Sequence, residues 1–219
     1  MSGGTAELIL FGMVAAFLVL RLRSVLGKRT GYERPAQPVA APGAPGAARP
    51  AEVRPGAAAG QPRLVVPDPR TPPGQALSRI AGVDPGFDPY RFLGGAEGAF
   101  RMIVGAFAAG DRATLQPLLS EDSYVGFEQA ISAREQAHET QRTEVRAVNE
   151  MAIDSADLRG TVADVTVKFV TDQVNITMAA DGSVAHGHDG VTELADLWTF
   201  QRDLRSPDPT WRLVATRSV

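Results

Sequence analysis

Ala163-Asp-Val-Thr-Val-Lys-Phe169 decides how the C-terminal half of this chain folds. Ala163, Val165, Val167 and Phe169 alternate with Asp164, Thr166 and Lys168. Side chains that alternate in polarity with a period of two point to opposite faces of a β-strand, so this stretch predicts a strand with one buried face. Val174, Ile176 and Met178 resume the alternation after Thr171–Gln173, which predicts a turn there and a hairpin of two short strands. Working outward, Glu144–Asp154 reads as a preceding strand, and Leu194–Asp203 and Trp211–Thr216 as two following ones. Asp181-Gly182 and Ser206–Pro209 supply turn residues between them.

Upstream of Thr143 the period is 3.6 rather than 2. Phe92, Ala96, Phe100, Ile103, Val104 and Phe107 form one apolar stripe, with Arg91, Glu97 and Arg101 off it, so Pro89–Ala109 reads as an amphipathic helix. Gly110 suits the left-handed position that ends such a helix, and Asp111 can cap a second, short helix carrying Leu115, Leu118 and Leu119. Ser120 with Glu121 and Asp122 opens a third, whose stripe is Tyr124, Phe127, Ala130 and Ile131. Three helices followed by an antiparallel sheet predict an α+β fold in which the helices cover one concave face of the sheet. No internal repeat is evident.

The N-terminal third has a different composition. Leu8–Leu20 is an uninterrupted apolar run, and the span from residue 3 to 22 is long enough to cross a bilayer at 1.5 Å per helical residue. Arg21, Arg23, Lys28 and Arg29 all follow the run, so the expected topology has the N-terminus outside and the rest of the chain in the cytoplasm. Eleven of the sixteen prolines fall between Pro35 and Pro73, a stretch with no aromatic residue. Apolar mass made mostly of alanine cannot offset the entropy of ordering a backbone, so residues 27–74 read as a disordered linker and 75–219 as the folded domain.

Charge separates the same regions. Residues 1–74 carry nine Lys/Arg against four Asp/Glu, and residues 75–219 carry thirteen against twenty-one. A basic segment suits an anionic leaflet, while an acidic domain is repelled by phosphate backbones, which argues against a nucleic-acid partner. The absence of cysteine excludes a disulfide framework, a thiol nucleophile and any zinc site built on thiolate.

Few residues suggest chemistry. His186-Gly-His188-Asp189 is the one histidine cluster, and it reads as a Gly-rich turn between strands, with no metal or other cofactor expected. His138 stands alone at a helix end, where a cation meets the dipole favourably. Arg202 has Asp196 or Asp208 as its expected ion-pair partner. Tyr124 with Asp154 or Asp164 is the best acid-base set available to an isomerase or dehydratase, the alternative to a non-enzymatic reading. The sequence contains no Ser-His-Asp order, P-loop or dinucleotide fingerprint. Trp198 and Phe200 share a strand face, as do Trp211 and Leu213, and aromatics so placed line either a packed core or a pocket mouth.

Phe92-Leu-Gly-Gly-Ala-Glu-Gly-Ala-Phe100, Ala109-Gly-Asp111, Leu118-Leu-Ser120 and the segment Phe127–Arg134 together resemble a known family, as does Asp196-Leu-Trp-Thr-Phe-Gln-Arg-Asp203 followed by Asp208-Pro-Thr-Trp211. The resemblance, over roughly residues 74–219, is to the Tim-forty-four-like domain family, which includes bacterial membrane-anchored adaptors. It implies a cone-shaped fold like nuclear transport factor two, an apolar pocket between helices and sheet, and docking of protein partners at a membrane, with a lipid acyl chain as another possible occupant. The pocket residues expected on that basis are Phe100, Ile103, Phe107, Tyr124, Phe127, Phe169, Trp198, Phe200 and Trp211. The expected location is a bacterial inner membrane, and the expected role is an adaptor or scaffold in protein translocation or membrane-protein assembly.

Overall fold

A computed structural model describes residues 61–219. The expected anchor (3–22) and most of the expected linker (27–60) lie outside the described residues. The last part of the expected linker is folded. Arg63–Val65 forms a short strand, β1, and Pro72–Val83 forms a helix, α1, so the fold begins before residue 75. The prolines that read as linker are here a helix start. Pro72 and Pro73 occupy the first helical positions, where a missing N–H costs nothing, and the Thr71 hydroxyl accepts a hydrogen bond from the Gly74 N–H. Leu77 and Ile80 then bury the inner face of α1.

The long helix α2, Pro89–Ala109, has the bounds its apolar period predicts. Asp88 caps its start by accepting from Arg91 N–H at 2.8 Å, and Gly110 ends it with φ 71°. By length and composition α2 could cross a membrane, the one described helix that could. In the fold it is the central core helix, burying Phe92, Leu93, Ala96, Phe100, Ile103 and Ala106. At its C-terminal end the Arg134 guanidinium donates to the Phe107 and Ala108 carbonyls and lies over the Phe107 ring, supplying positive charge where the helix dipole is negative. Two further helices follow, α3 at Arg112–Leu115 and α4 at Glu121–Gln136, capped by Asp111 and Ser120.

The sheet contains β1, β2 (Thr140–Arg159), β3 (Val162–Met178), β4 (Val184–Asp203) and β5 (Arg212–Ser218), in that spatial order. The β1–β2 pair is parallel and the others antiparallel. This is the mixed α+β class expected, with four helices rather than three among the described residues and with longer strands than expected. The hairpin at Thr171–Gln173 is not formed, because β3 runs unbroken through it. Up to Gln173 the buried residues are odd-numbered, and from Val174 onward the buried apolar ones are Val174 and Ile176. The pairing with β4 slips between Gln173 and Asn175. An inserted residue in a strand reverses which parity faces inward, so what resembled a turn between two strands is a bulge within one. Three further shifts in the β2–β3 register bend the sheet around the helices.

His186-Gly-His188-Asp189 also proves to lie within β4, not in a turn. The turn is at Asp181-Gly182, with Gly182 at φ 80°. Gly187 sits so close to β3 that a Cβ would fall 2.1 Å from the Asn175 carbonyl oxygen, which explains glycine there without any ligand.

Candidate functional site: an aromatic cleft at the edge of the core

The nine expected pocket residues separate into three places. Phe100, Ile103, Phe169 and Trp198 are interior: Phe100 stacks on Phe169 at 4.7 Å between ring centres and meets Trp198 at the same distance. The part of the expected pocket between Phe100, Phe169 and Trp198 is therefore filled by the rings themselves, since aromatic faces at contact distance leave no room for another molecule. Phe107 and Phe127 form an edge-on pair at 5.2 Å near the C-terminal end of α2, and Tyr124 is half-buried one turn before Phe127 on α4. Phe200 and Trp211 line the cleft at the edge of the core.

That space is an open cleft of about 370 Å³, at the lower end of the range for ligand sites. One wall is the N-terminal half of α2, presenting Arg91, Phe92, Gly95, Ala99 and Met102. The Asp84–Asp88 connection from α1 adds Phe87, and the loop into β5 adds Pro209, Thr210 and Trp211. Trp211 meets Phe92 edge-on at 4.9 Å and Phe87 at 5.8 Å, and Phe92 meets Phe200 edge-on at 6.1 Å. These contacts make a continuous aromatic surface leading from the core to solvent.

Hydrogen bonds hold the cleft's loops. Asp84 accepts from Gly86 N–H at 3.0 Å and from Arg202 Nη1 at 2.9 Å, so Arg202 pairs with neither Asp196 nor Asp208. Asp196 accepts instead from the Ser218 hydroxyl, and Asp208 from Thr210 N–H and Arg212. The Thr210 hydroxyl and N–H hold the Asp208 carboxyl below its ordinary value. β5 is fixed on its outer edge as well, where Leu213 exchanges backbone hydrogen bonds with Leu118 and Ser120.

Tyr124, Asp154 and Asp164 do not assemble. Asp164 lies on the sheet face away from the helices, where it accepts from Gln201 at 2.7 Å and pairs with Arg159. Asp154 is exposed. At the histidines, His188 Nδ1 accepts from Gly190 N–H at 2.8 Å, and no three His, Asp or Glu side chains converge among the described residues.

Sequence reasoning missed Phe87, Arg91, Gly95, Met102 and the Arg202–Asp84 pair as parts of one site. The available signal was an aromatic held inside a turn, Asp84-Pro-Gly-Phe87-Asp-Pro89, ahead of a helix with glycines on an unburied face.

Helices covering one face of a curved antiparallel sheet, with an aromatic cleft where the helix N-terminus meets the last strand, define a small α+β domain of the cone-like kind. This chain belongs to the Tim44-like domain family, whose profile matches residues 74–218, a family associated with protein interactions at membranes. The fold is similar to the intermembrane-space region of the chloroplast protein ARC6, at 10% identity and TM-score 0.44, covering 58% of this chain and 95% of that one. It is also similar to a conserved protein from Planctomyces limnophilus, at 14% identity and TM-score 0.33, covering 57% and 94%. A third similar structure is TsrD from Streptomyces laurentii, at 13% identity and TM-score 0.26, covering 56% and 87%. No curated protein sequence matches the chain.

Proposed function

We propose that this protein is a membrane-anchored adaptor whose folded domain docks an apolar segment of a protein partner in the cleft between α2 and the β5 loop. The observation that carries this reading is the cleft at the domain's edge, where half-buried Phe87 and Trp211 pack beside buried Phe92 and Phe200 along an open space. Rigid aromatic side chains provide large contact area at little entropic cost, which suits them to anchoring a partner. The apolar run Leu8–Leu20 with Arg21, Arg23, Lys28 and Arg29 after it supports tethering to the membrane with the domain on the cytoplasmic side.

A photoreactive amino acid at Met102, exposed on the cleft wall, tests the docking. Reproducible crosslinking in cells to one defined partner from Met102, and none from exposed Asp154 on β2, is the expected result. Equal labelling from both positions contradicts the assignment of the cleft. A cytoplasmically active reporter fused after Val219 is the expected outcome for topology, and a reporter active only in the periplasm contradicts it.

A further inference from the structure

We infer that the cleft binds the chain's own stretch Pro42-Gly-Ala-Pro45-Gly-Ala-Ala-Arg49-Pro50, which a partner must displace. The inference rests on the docking reading above, since it names the occupant of the same cleft when no partner is present. Residues 42–50 lie outside the described residues, and it is their sequence that fits the site. The cleft offers no strand edge for a ligand to extend. Its walls are α2 and two connections, and the start of β5 is already taken where Leu213 exchanges hydrogen bonds with Leu118 and Ser120. A ligand that needs a ladder of main-chain bonds gains none there, whereas a proline-rich stretch in the polyproline II form keeps its backbone solvated and needs none. Such stretches dock their rigid rings against aromatic side chains at little entropic cost. With three residues per turn, Pro42 and Pro45 fall on one face, about 9 Å apart, and half-buried Trp211 and Phe87 are the rings open to them.

Charge has the matching sign. Residues 1–60 carry seven Lys/Arg against three Asp/Glu, and residues 61–219 carry fifteen against twenty-two. At the rim Asp88 is exposed; one of its oxygens accepts from Arg91 N–H, and the other makes no hydrogen bond among the described residues. That oxygen is an acceptor for the Arg49 guanidinium, four residues past Pro45. Arg202 and Asp84 pair with each other and add no net charge, and exposed Arg91 offsets part of the attraction, so the ring contacts outweigh the ion pair. The chain is also long enough. β1 and β5 are opposite edges of a five-stranded sheet, so at ~4.8 Å per strand spacing Arg63 lies about 20 Å from the β5 side. The fourteen residues from Arg49 to Arg63 span up to about 45 Å.

The chain has no cysteine, so introduced pairs report contact without background. The test uses the full-length chain in detergent micelles, carrying Ala48→Cys with either Met102→Cys on the cleft wall or Asp154→Cys on β2, both exposed positions. Disulfide formation under a mild oxidant is followed by gel mobility and mass spectrometry. Asp154 lies two residues from Ala152, which pairs with β1, so encounters governed by the tether alone favour Asp154. The expected result is the reverse, an intramolecular bond between positions 48 and 102 that forms about tenfold faster than one between 48 and 154. Asp88→Asn, which removes the charge but keeps a side chain able to cap α2, should reduce that ratio. Pro42→Ala with Pro45→Ala should reduce it further. A bond to position 102 no faster than that to 154, or found only between two chains, overturns the inference. A ratio unmoved by the two proline substitutions overturns it as well. In the cysteine-free chain the same proline substitutions should tighten binding of a labelled apolar hexapeptide of leucine and phenylalanine, read by fluorescence anisotropy, by about threefold or more, because an internal competitor is lost. Unchanged hexapeptide affinity overturns the competition. Hexapeptide binding with equal crosslinking rates overturns the own-segment inference and leaves the docking reading standing, whereas no hexapeptide binding to either chain overturns the docking reading itself.

Discussion

The interior and the cleft are built from the same kind of side chain and end in opposite states. Phe100, Phe169 and Trp198 lie between α2 and the middle of the sheet, at most 5% exposed, with ring centres 4.7 to 6.0 Å apart. Phe92 and Phe200, themselves buried, continue that aromatic chain to half-buried Phe87 and Trp211, and there the helix wall is Gly95 and Ala99, too small to close the space. The difference shows that aromatic content does not make a pocket; the size of the residue opposite does.

The largest expected effect comes from emptying the interior. Phe100→Ala should destabilise the domain by about 3–5 kcal/mol in urea unfolding, because the neighbouring rings cannot collapse into the hole. Trp211→Ala, on the half-open side, should cost distinctly less. If the two costs are equal, the contrast between filled and open regions fails. Overfilling is the next effect: Ile103→Trp should cost about 1–3 kcal/mol while leaving the affinity for a labelled apolar hexapeptide of leucine and phenylalanine, read by fluorescence anisotropy, unchanged within about twofold, since Ile103 is interior and does not line the cleft.

Gly95 gives a smaller effect with a more informative sign. A Cβ at Gly95 meets nothing within 4 Å, so Gly95→Ala should stabilise α2 by about 1 kcal/mol. Because Gly95 lines the cleft, the same methyl should weaken peptide binding. Gly98→Ala, equally unobstructed but not on the cleft wall, should stabilise without affecting binding. Thermal unfolding and anisotropy on the two variants separate these outcomes.

The smallest effect is electrostatic and lies away from both regions. The Arg112 guanidinium, 2.8 Å from Glu135, holds the Glu135 carboxyl below its ordinary value of 4.5. A depressed folded value means the contribution is fully present above pH 4.5 and is lost as the pH falls through the lower, folded value. The pair is exposed, so the gain in stability is small. Carboxyl NMR should show the Glu135 midpoint return toward its ordinary value in Arg112→Gln.

Much of the fold was legible because local signals and burial agreed. Gly110, Asp111 and Ser120 mark helix ends in sequence and cap them in the structure. The misreadings arose where one signal has two physical meanings. Proline at Pro72 and Pro73 counts equally toward a linker and toward a helix start, and a parity slip at Gln173 is as consistent with a turn as with a bulge. The cleft was less legible. Phe200 and Trp211 stood out as aromatics, but whether a ring is covered depends on what faces it across the fold, and neither Gly95 opposite them nor the pairing of Arg202 with Asp84, 118 residues away, is visible in a local pattern.

The chain has two tryptophans, one in each region, Trp198 in the interior and Trp211 at the cleft. Replacing both with 5-fluorotryptophan in the full-length chain gives one fluorine resonance per region, assigned by Trp211→Phe. Titration with the apolar hexapeptide should shift the Trp211 resonance in a saturable way and leave Trp198 in place. A shift at Trp198 with Trp211 unmoved would contradict the account, since the binding site would then be the interior that the structure shows to be filled.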